Sequence, residues 1–242
     1  MSLGSECCTY PNGGLFEAKI QIHIPKKTLE EFFMNTVNLC EELVKDIYEK
    51  FDASHDFQHI QRVRNNALEI LESEEQADKE LVLLSVLLHD VSDPKYSKHK
   101  ELEHFILEKL PIDEEKKEQI QKIIKSVSFN GGNELPAESI EAKIVRDADR
   151  LDAIGAIGIA RTFAYGGAKG RKLYDSSEKA REEMSEQEYR AKATSSVTHF
   201  YEKLLKLSDG MLTQKGQALA KERHQFMIQF LEQMKKEVGE EI

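Results

Sequence analysis

The sequence predicts a single all-α domain, and three observations carry that prediction. Apolar residues recur at helical spacing along most of the chain from Pro25 onward. One segment, LVLLSVLL at 81–88, is apolar almost all round, as a helix enclosed by others must be. Strand periodicity surfaces once, in AKIQIHI at 18–24, and one short strand without a partner makes no sheet. A chain of 242 residues can enclose a sizeable core, and no Pro- or Ser-rich linker divides it.

Residues 1–24 read as an irregular leader, with Pro11, Asn12, Gly13 and Gly14 as turn formers. Residues 25–242 read as the domain, its C-terminal helices packed on the rest. In TLEEFFMNTVNLCEELVKDIYEKF, at 28–51, Phe33, Val37, Cys40, Leu43 and Ile47 share one stripe. A second helix, at 56–73, puts Ile60, Val63, Ala67, Ile70 and Leu71 on one face, with Asp56 available as its N-cap. The third, at 79–90, is the apolar one. Asp93-Pro94 breaks the pattern. Helices follow at about 98–109 and 113–127, and Asn130-Gly131-Gly132-Asn133 forms a loop. Pro136 suits the first turn of a helix running through Asp149 to Phe163. Residues 165–184 are polar and hold Gly166, Gly167 and Gly170, which predicts a long loop. Helices at about 186–207 and 213–237 end the chain, amphipathic enough to pack internally or against a partner.

The formal net charge is −10, which argues against a general nucleic-acid binder while leaving room for a small anion on a local basic cluster. No apolar run approaches the ~20 residues that span a bilayer, and MSLGSECC lacks the basic and apolar regions of a secretory signal. The three cysteines, Cys7, Cys8 and Cys40, are odd in number and show no Cys-x-x-Cys spacing. This fits a reducing, cytoplasmic setting.

Chemistry concentrates in three segments. His89-Asp90 closes the apolar run, His59 lies thirty residues upstream, and Asp149 sits in RDADRLDAIG. A carboxylate beside the core costs free energy unless it is paired or metal-bound. Two imidazoles and two carboxylates suit one divalent ion, Mn, Fe, Co, Ni or Zn, and four protein ligands on an octahedral ion leave two positions open. His55 is four residues before His59 and would share its face if both were helical; Arg62 follows three residues after it, suited to orienting a ligand or holding a phosphate. Asp152, one turn beyond Asp149, is placed to pair with Arg150, Arg62 or Arg64 and to support the site from behind its ligands. The glycine-rich stretch with Lys169, Arg171 and Lys172 is placed to contact substrate phosphates, though a solvated surface loop has the same composition. His23, His199 and His224 read as ordinary core or surface histidines.

The blocks HDFQHIQRVRNNA, LLSVLLHDVSDPKY and RDADRLDAIGAIGIARTFAYGG, in that order, resemble the HD superfamily of metal-dependent phosphohydrolases, in a subgroup of small bacterial-type proteins. The resemblance spans roughly residues 27–210. It implies a helical bundle with one divalent metal (Mn, Mg, Fe, Co or Ni) in a central cleft, held by His59, His89, Asp90 and Asp149. It implies hydrolysis of phosphate esters or anhydrides, usually of nucleotides, and some similar proteins split nucleoside triphosphates to the monophosphate and pyrophosphate. His55 resembles a proton donor, and Asp93 an acidic residue that aids water activation. Two alternatives remain open at this level: a di-iron oxygenase drawing on His99 and His104, and a catalytically silent nucleotide sensor.

Overall fold

The computed structural model describes residues 36–52, 55–92, 102–127, 135–181 and 194–239. They fall within one compact unit spanning 34–242. The expected leader at 1–24, the isolated strand, Cys7, Cys8, His23, Phe33 and the loop at 130–133 lie outside the described residues. Among the described residues every regular element is helical, as the sequence predicts.

Helix α1 (Thr36–Tyr48) buries Val37, Cys40, Leu43, Val44 and Tyr48. Ile47, expected on that stripe, is half-buried, and Tyr48 takes the enclosed place instead. Helix α2 (Phe57–Leu71) starts where Asp56 caps it, its carboxylate accepting from the His59 N–H at 3.0 Å. Helix α3 (Lys79–Leu88), capped by Asp78, is buried along its whole apolar stretch: each residue from Leu81 to Leu88 is at most 7% exposed. It is the central rod, with α1, α2, α5 and α6 packed around it. Helix α4 (Leu102–Leu107) and helix α5 (Glu114–Val127) follow.

Helix α6 (Ile140–Asp152) begins at the Ser139 cap, four residues later than Pro136 predicts, and packs most extensively on α2. It also ends early. The expected continuous helix to Phe163 breaks at Gly155, whose φ of +72° belongs to the left-handed region. A new helix, α7 (Gly155–Ala168), starts there and takes up Gly166 and Gly167, which the sequence reading assigns to a loop. Its end at Lys169 leaves residues 169–181 as the irregular stretch. Of the helix expected at 186–207, residues 186–193 lie outside the described residues; helix α8 (Ser196–Glu202) starts at the Ser195 cap and passes into two 3₁₀ turns, Leu204–Lys206 and Ser208–Gly210. Helix α9 (Gln214–Val238) closes the chain against α7 and α6, capped by Thr213 at one end and by left-handed Gly239 at the other. No helix among the described residues is long and apolar enough to cross a membrane.

Candidate metal centre

Three helix ends meet at one point: the start of α2, the end of α3 and the last turns of α6. His59 comes from the first turn of α2 and is fully buried. His89 is the C-cap of α3, and Asp90 follows in the turn. Asp149 lies on α6 one turn from its end.

The two imidazoles are aimed by bonds at their outer nitrogens. His59 Nδ1 donates to Asp152 Oδ2 at 2.7 Å, and His89 Nδ1 donates to the Val86 carbonyl at 2.8 Å. Each bond leaves Nε2 with its lone pair directed inward. Both Nε2 atoms are buried and have no hydrogen-bond partner among the described residues. Around them, Asp90 Oδ2 stands 3.5 Å from each Nε2, while Asp149 Oδ1 stands 3.6 Å from that of His59 and 3.7 Å from that of His89. Ligands about 2.1 Å from a shared ion lie roughly 3.0–3.4 Å apart when adjacent. Each carboxylate is therefore near ligand spacing from both imidazoles, and His59, His89 and Asp149 keep their ligand atoms within 4.8 Å of one another.

The electrostatics agree with the geometry. Burial alone would lower the His89 pKa, but Asp90 and Asp149 outweigh it and push the value up to about 9. Burial likewise would raise the two carboxyls; instead the histidines hold Asp90 well below the usual carboxylate range and Asp149 below it as well. The centre demands positive charge between these groups, and two orphaned imine nitrogens beside two carboxylates make a donor set that fits a divalent transition ion.

Supports for this centre come from further off. Tyr48, from α1, is fully buried; its hydroxyl donates to the Leu87 carbonyl at 3.0 Å and accepts from the Asp90 N–H at 3.3 Å. It fixes the turn that presents the His-Asp pair. Asp152, 1% exposed, takes His59 on one side and two guanidiniums on the other: Arg62 through Nε at 2.7 Å and Nη2 at 3.2 Å, Arg161 through Nη1 at 2.6 Å. Burial would raise its pKa, but His59 and the two arginines hold it far below the ordinary carboxylate value. Of the partners the sequence offers for Asp152, only Arg62 is used; Arg64 pairs with Glu41 instead. Arg161 and Tyr48 were not singled out by sequence.

The other predicted residues are placed as follows. His55 sits in the turn before α2 rather than on the helix, yet its ring lies 5.6 Å from that of His59, edge to face. Asp93 and His99 lie outside the described residues. His104 is exposed on α4 beside Gln121. Lys169 and Arg171 gather over the Tyr165 ring, at 5.6 and 5.3 Å, while Lys172 is 72% exposed and paired with Asp175 at 2.6 Å. Cys40 is buried, and burial raises its thiol pKa far above the ordinary range, which makes it core rather than chemistry.

Comparison with known proteins places these features in company. The HD domain family model matches residues 56–154, the stretch that carries all four candidate ligands. YpgQ of Bacillus subtilis is 37% identical over 201 residues, covering 81% of this chain and 90% of that protein. The structure of YpgQ in complex with ADP superposes with a TM-score of 0.66 at 35% identity, over 84% of this chain and 97% of that one. A structure of an HD-superfamily hydrolase from Bacillus thuringiensis gives 0.65 at 40% identity, over 85% and 97%. A Lactobacillus plantarum structure gives 0.76 at 33% identity, over 84% and 97%.

Proposed function

This chain belongs to the HD superfamily of hydrolases, and on that premise we propose that it is a metal-dependent phosphohydrolase acting on nucleotides. The observation that carries the proposal is the pair of buried, partnerless Nε2 atoms of His59 and His89, set against one oxygen each from Asp90 and Asp149. An ion held by these four (Mn, Mg, Fe, Co or Ni) supplies Lewis acidity toward a phosphoryl oxygen and lowers the pKa of a water molecule. Asp152 and Val86 keep the two imidazoles oriented throughout. His55, on the rim beside His59, protonates the leaving oxygen. Asp93, three residues after the pair, assists in taking the proton from water. Arg62 binds a phosphate, and Lys169, Arg171 and Lys172 meet the outer part of the substrate. The ADP complex of the Bacillus subtilis relative supports a nucleotide as the ligand class.

The test is a screen of nucleoside mono-, di- and triphosphates with each of the five metals, reporting phosphate and pyrophosphate separately. The proposal expects metal-dependent release of one of the two, abolished together with metal binding in Asp90→Ala. Absence of release with every metal and nucleotide overturns it.

A further inference from the structure

The charges around Asp152 do not cancel. One carboxylate faces the guanidiniums of both Arg62 and Arg161, which leaves one positive charge in surplus at a place where little water reaches. The Arg62 side chain is 28% exposed and that of Arg161 only 15%. Arg161 uses a single nitrogen, Nη1, which donates to Asp152 Oδ2 at 2.6 Å and to the Asp152 carbonyl at 3.2 Å. Its Nε and Nη2, and Nη1 of Arg62, have no partner among the described residues. Donors and charge held this way, half withdrawn from water, call for an anion, and phosphate oxygens match the planar fork of a guanidinium.

The position is as telling as the charge. Arg161 is one carboxylate and one imidazole from the metal-facing Nε2 of His59. It reaches Asp152 across the corner at Gly155, where α6 gives way to α7. Asp90 and Asp149 together balance a divalent ion, and the surplus charge of the arginine pair then remains for the ligand.

We propose that Arg161 is a phosphate-contacting residue, held beside the metal ligands by Asp152 and acting with Arg62. The proposal rests on the reading of the substrate as a phosphorylated molecule. The test titrates inorganic pyrophosphate, at fixed free Mn²⁺, into the full chain and its Arg161→Ala and Arg161→Lys variants, with Mn²⁺ affinity measured separately on each. Arg161→Ala should weaken pyrophosphate by about tenfold or more, since a hydrogen bond to a charged group contributes that much. Its Mn²⁺ affinity should match the wild type, because Arg62 still holds Asp152. Arg161→Lys, which keeps charge without the fork, should fall between. Unchanged pyrophosphate affinity in Arg161→Ala overturns the proposal, and so does an equal fall in Mn²⁺ and pyrophosphate affinity, which would reduce Arg161 to a support for Asp152. Should pyrophosphate binding depend on Arg161 in a chain that hydrolyses no nucleotide, the clamp stands and the nucleotide reading falls. Nucleotide hydrolysis that continues while Arg161→Ala binds pyrophosphate at full strength has the opposite meaning.

Discussion

Replacing Asp152 by asparagine removes one charge and almost no volume, so its effect can be worked from four bonds. Oδ2 accepts from His59 Nδ1, Arg62 Nη2 and Arg161 Nη1, whereas Oδ1 accepts only from Arg62 Nε. An amide must put its NH₂ at one of these positions. At Oδ2 it would face three donors, so it settles at Oδ1 and faces the Arg62 Nε–H donor to donor. That lost charge-assisted bond costs about 1.5–3 kcal/mol, and the remaining three weaken as their acceptor becomes neutral. Removing one partner of a buried pair costs about 3–5 kcal/mol, so ~3 kcal/mol is expected for this gentler change. For a chain of this size that corresponds to a fall of roughly 6–12 °C in Tm. His59 also trades a carboxylate for a carbonyl behind its Nδ1–H, which lowers its basicity as a ligand; Mn²⁺ affinity should drop about 10- to 100-fold. Calorimetric titration of Mn²⁺ and thermal unfolding of the metal-free protein measure the two effects separately. Wild-type Mn²⁺ affinity alongside a lowered Tm would make Asp152 mere packing and refute its role in aiming His59. Both values unchanged would refute the hydrogen-bond account itself.

Gly155→Ala should lower Tm by several degrees, because the left-handed backbone there costs an L residue about 1–2 kcal/mol. The added Cβ would also lie 3.0 Å from Arg223 Cβ and Cγ and push on a side chain that donates to the Leu151 carbonyl and to Asn66. A Tm equal to wild type would mean that the corner between α6 and α7 adapts freely. His199 supplies a pH dependence. Burial, then Lys203 and Arg171, press its pKa down to about 3, with Glu202 opposing. The folded value lies below the unfolded one of ~6.5, so unfolding takes up a proton, and stability is lost as pH falls from about 6.5 toward 3. Between pH 6.5 and 5 the loss from this residue is at most about 2 kcal/mol. Urea unfolding at both pH values should show a smaller pH difference for His199→Gln than for the wild type; identical differences would remove His199 from the acid response.

The candidate ligand residues stand out in the sequence because their chemistry is local: a His-Asp pair ending an apolar run needs no tertiary knowledge to look out of place. The Asp56 cap is equally readable from position alone. What escaped depends on the path of the chain. AIGAIGIARTFA continues the apolar spacing of α6 without a gap, and the sign of φ at Gly155 leaves no mark on periodicity. Once that corner was missed, Arg161 had no route to Asp152. Tyr48 reaches the Asp90 N–H across 42 residues, and no spacing rule connects α1 to the end of α3. In RDADRLD the three aspartates look interchangeable until helix phase sends them to different neighbours. His55 erred the other way: its nearness to His59 was right, but it arises from a turn rather than from a shared helical face.

Those three aspartates have a consequence for how this protein can change. Asp147 is buried and accepts from the N–H groups of Leu212 and Thr213 and from the Thr213 hydroxyl, and so anchors the start of α9; Asp149 faces the candidate metal centre; Asp152 aims His59. The room beside Asp147 is so tight that a Cβ on Gly216 would come within 2.5 Å of its Oδ2. Within six residues one helix thus sets the docking of the final helix, one candidate ligand and the orientation of another, His59. Inserting or deleting one residue upstream in α6 would rotate all three carboxylates together by about 100°. Such a slip cannot be repaired piecemeal, because restoring one partner leaves the other two misdirected. Point substitutions can tune these contacts one at a time, but the residue register along α6 behaves as a single setting that any insertion or deletion within it disturbs as a whole.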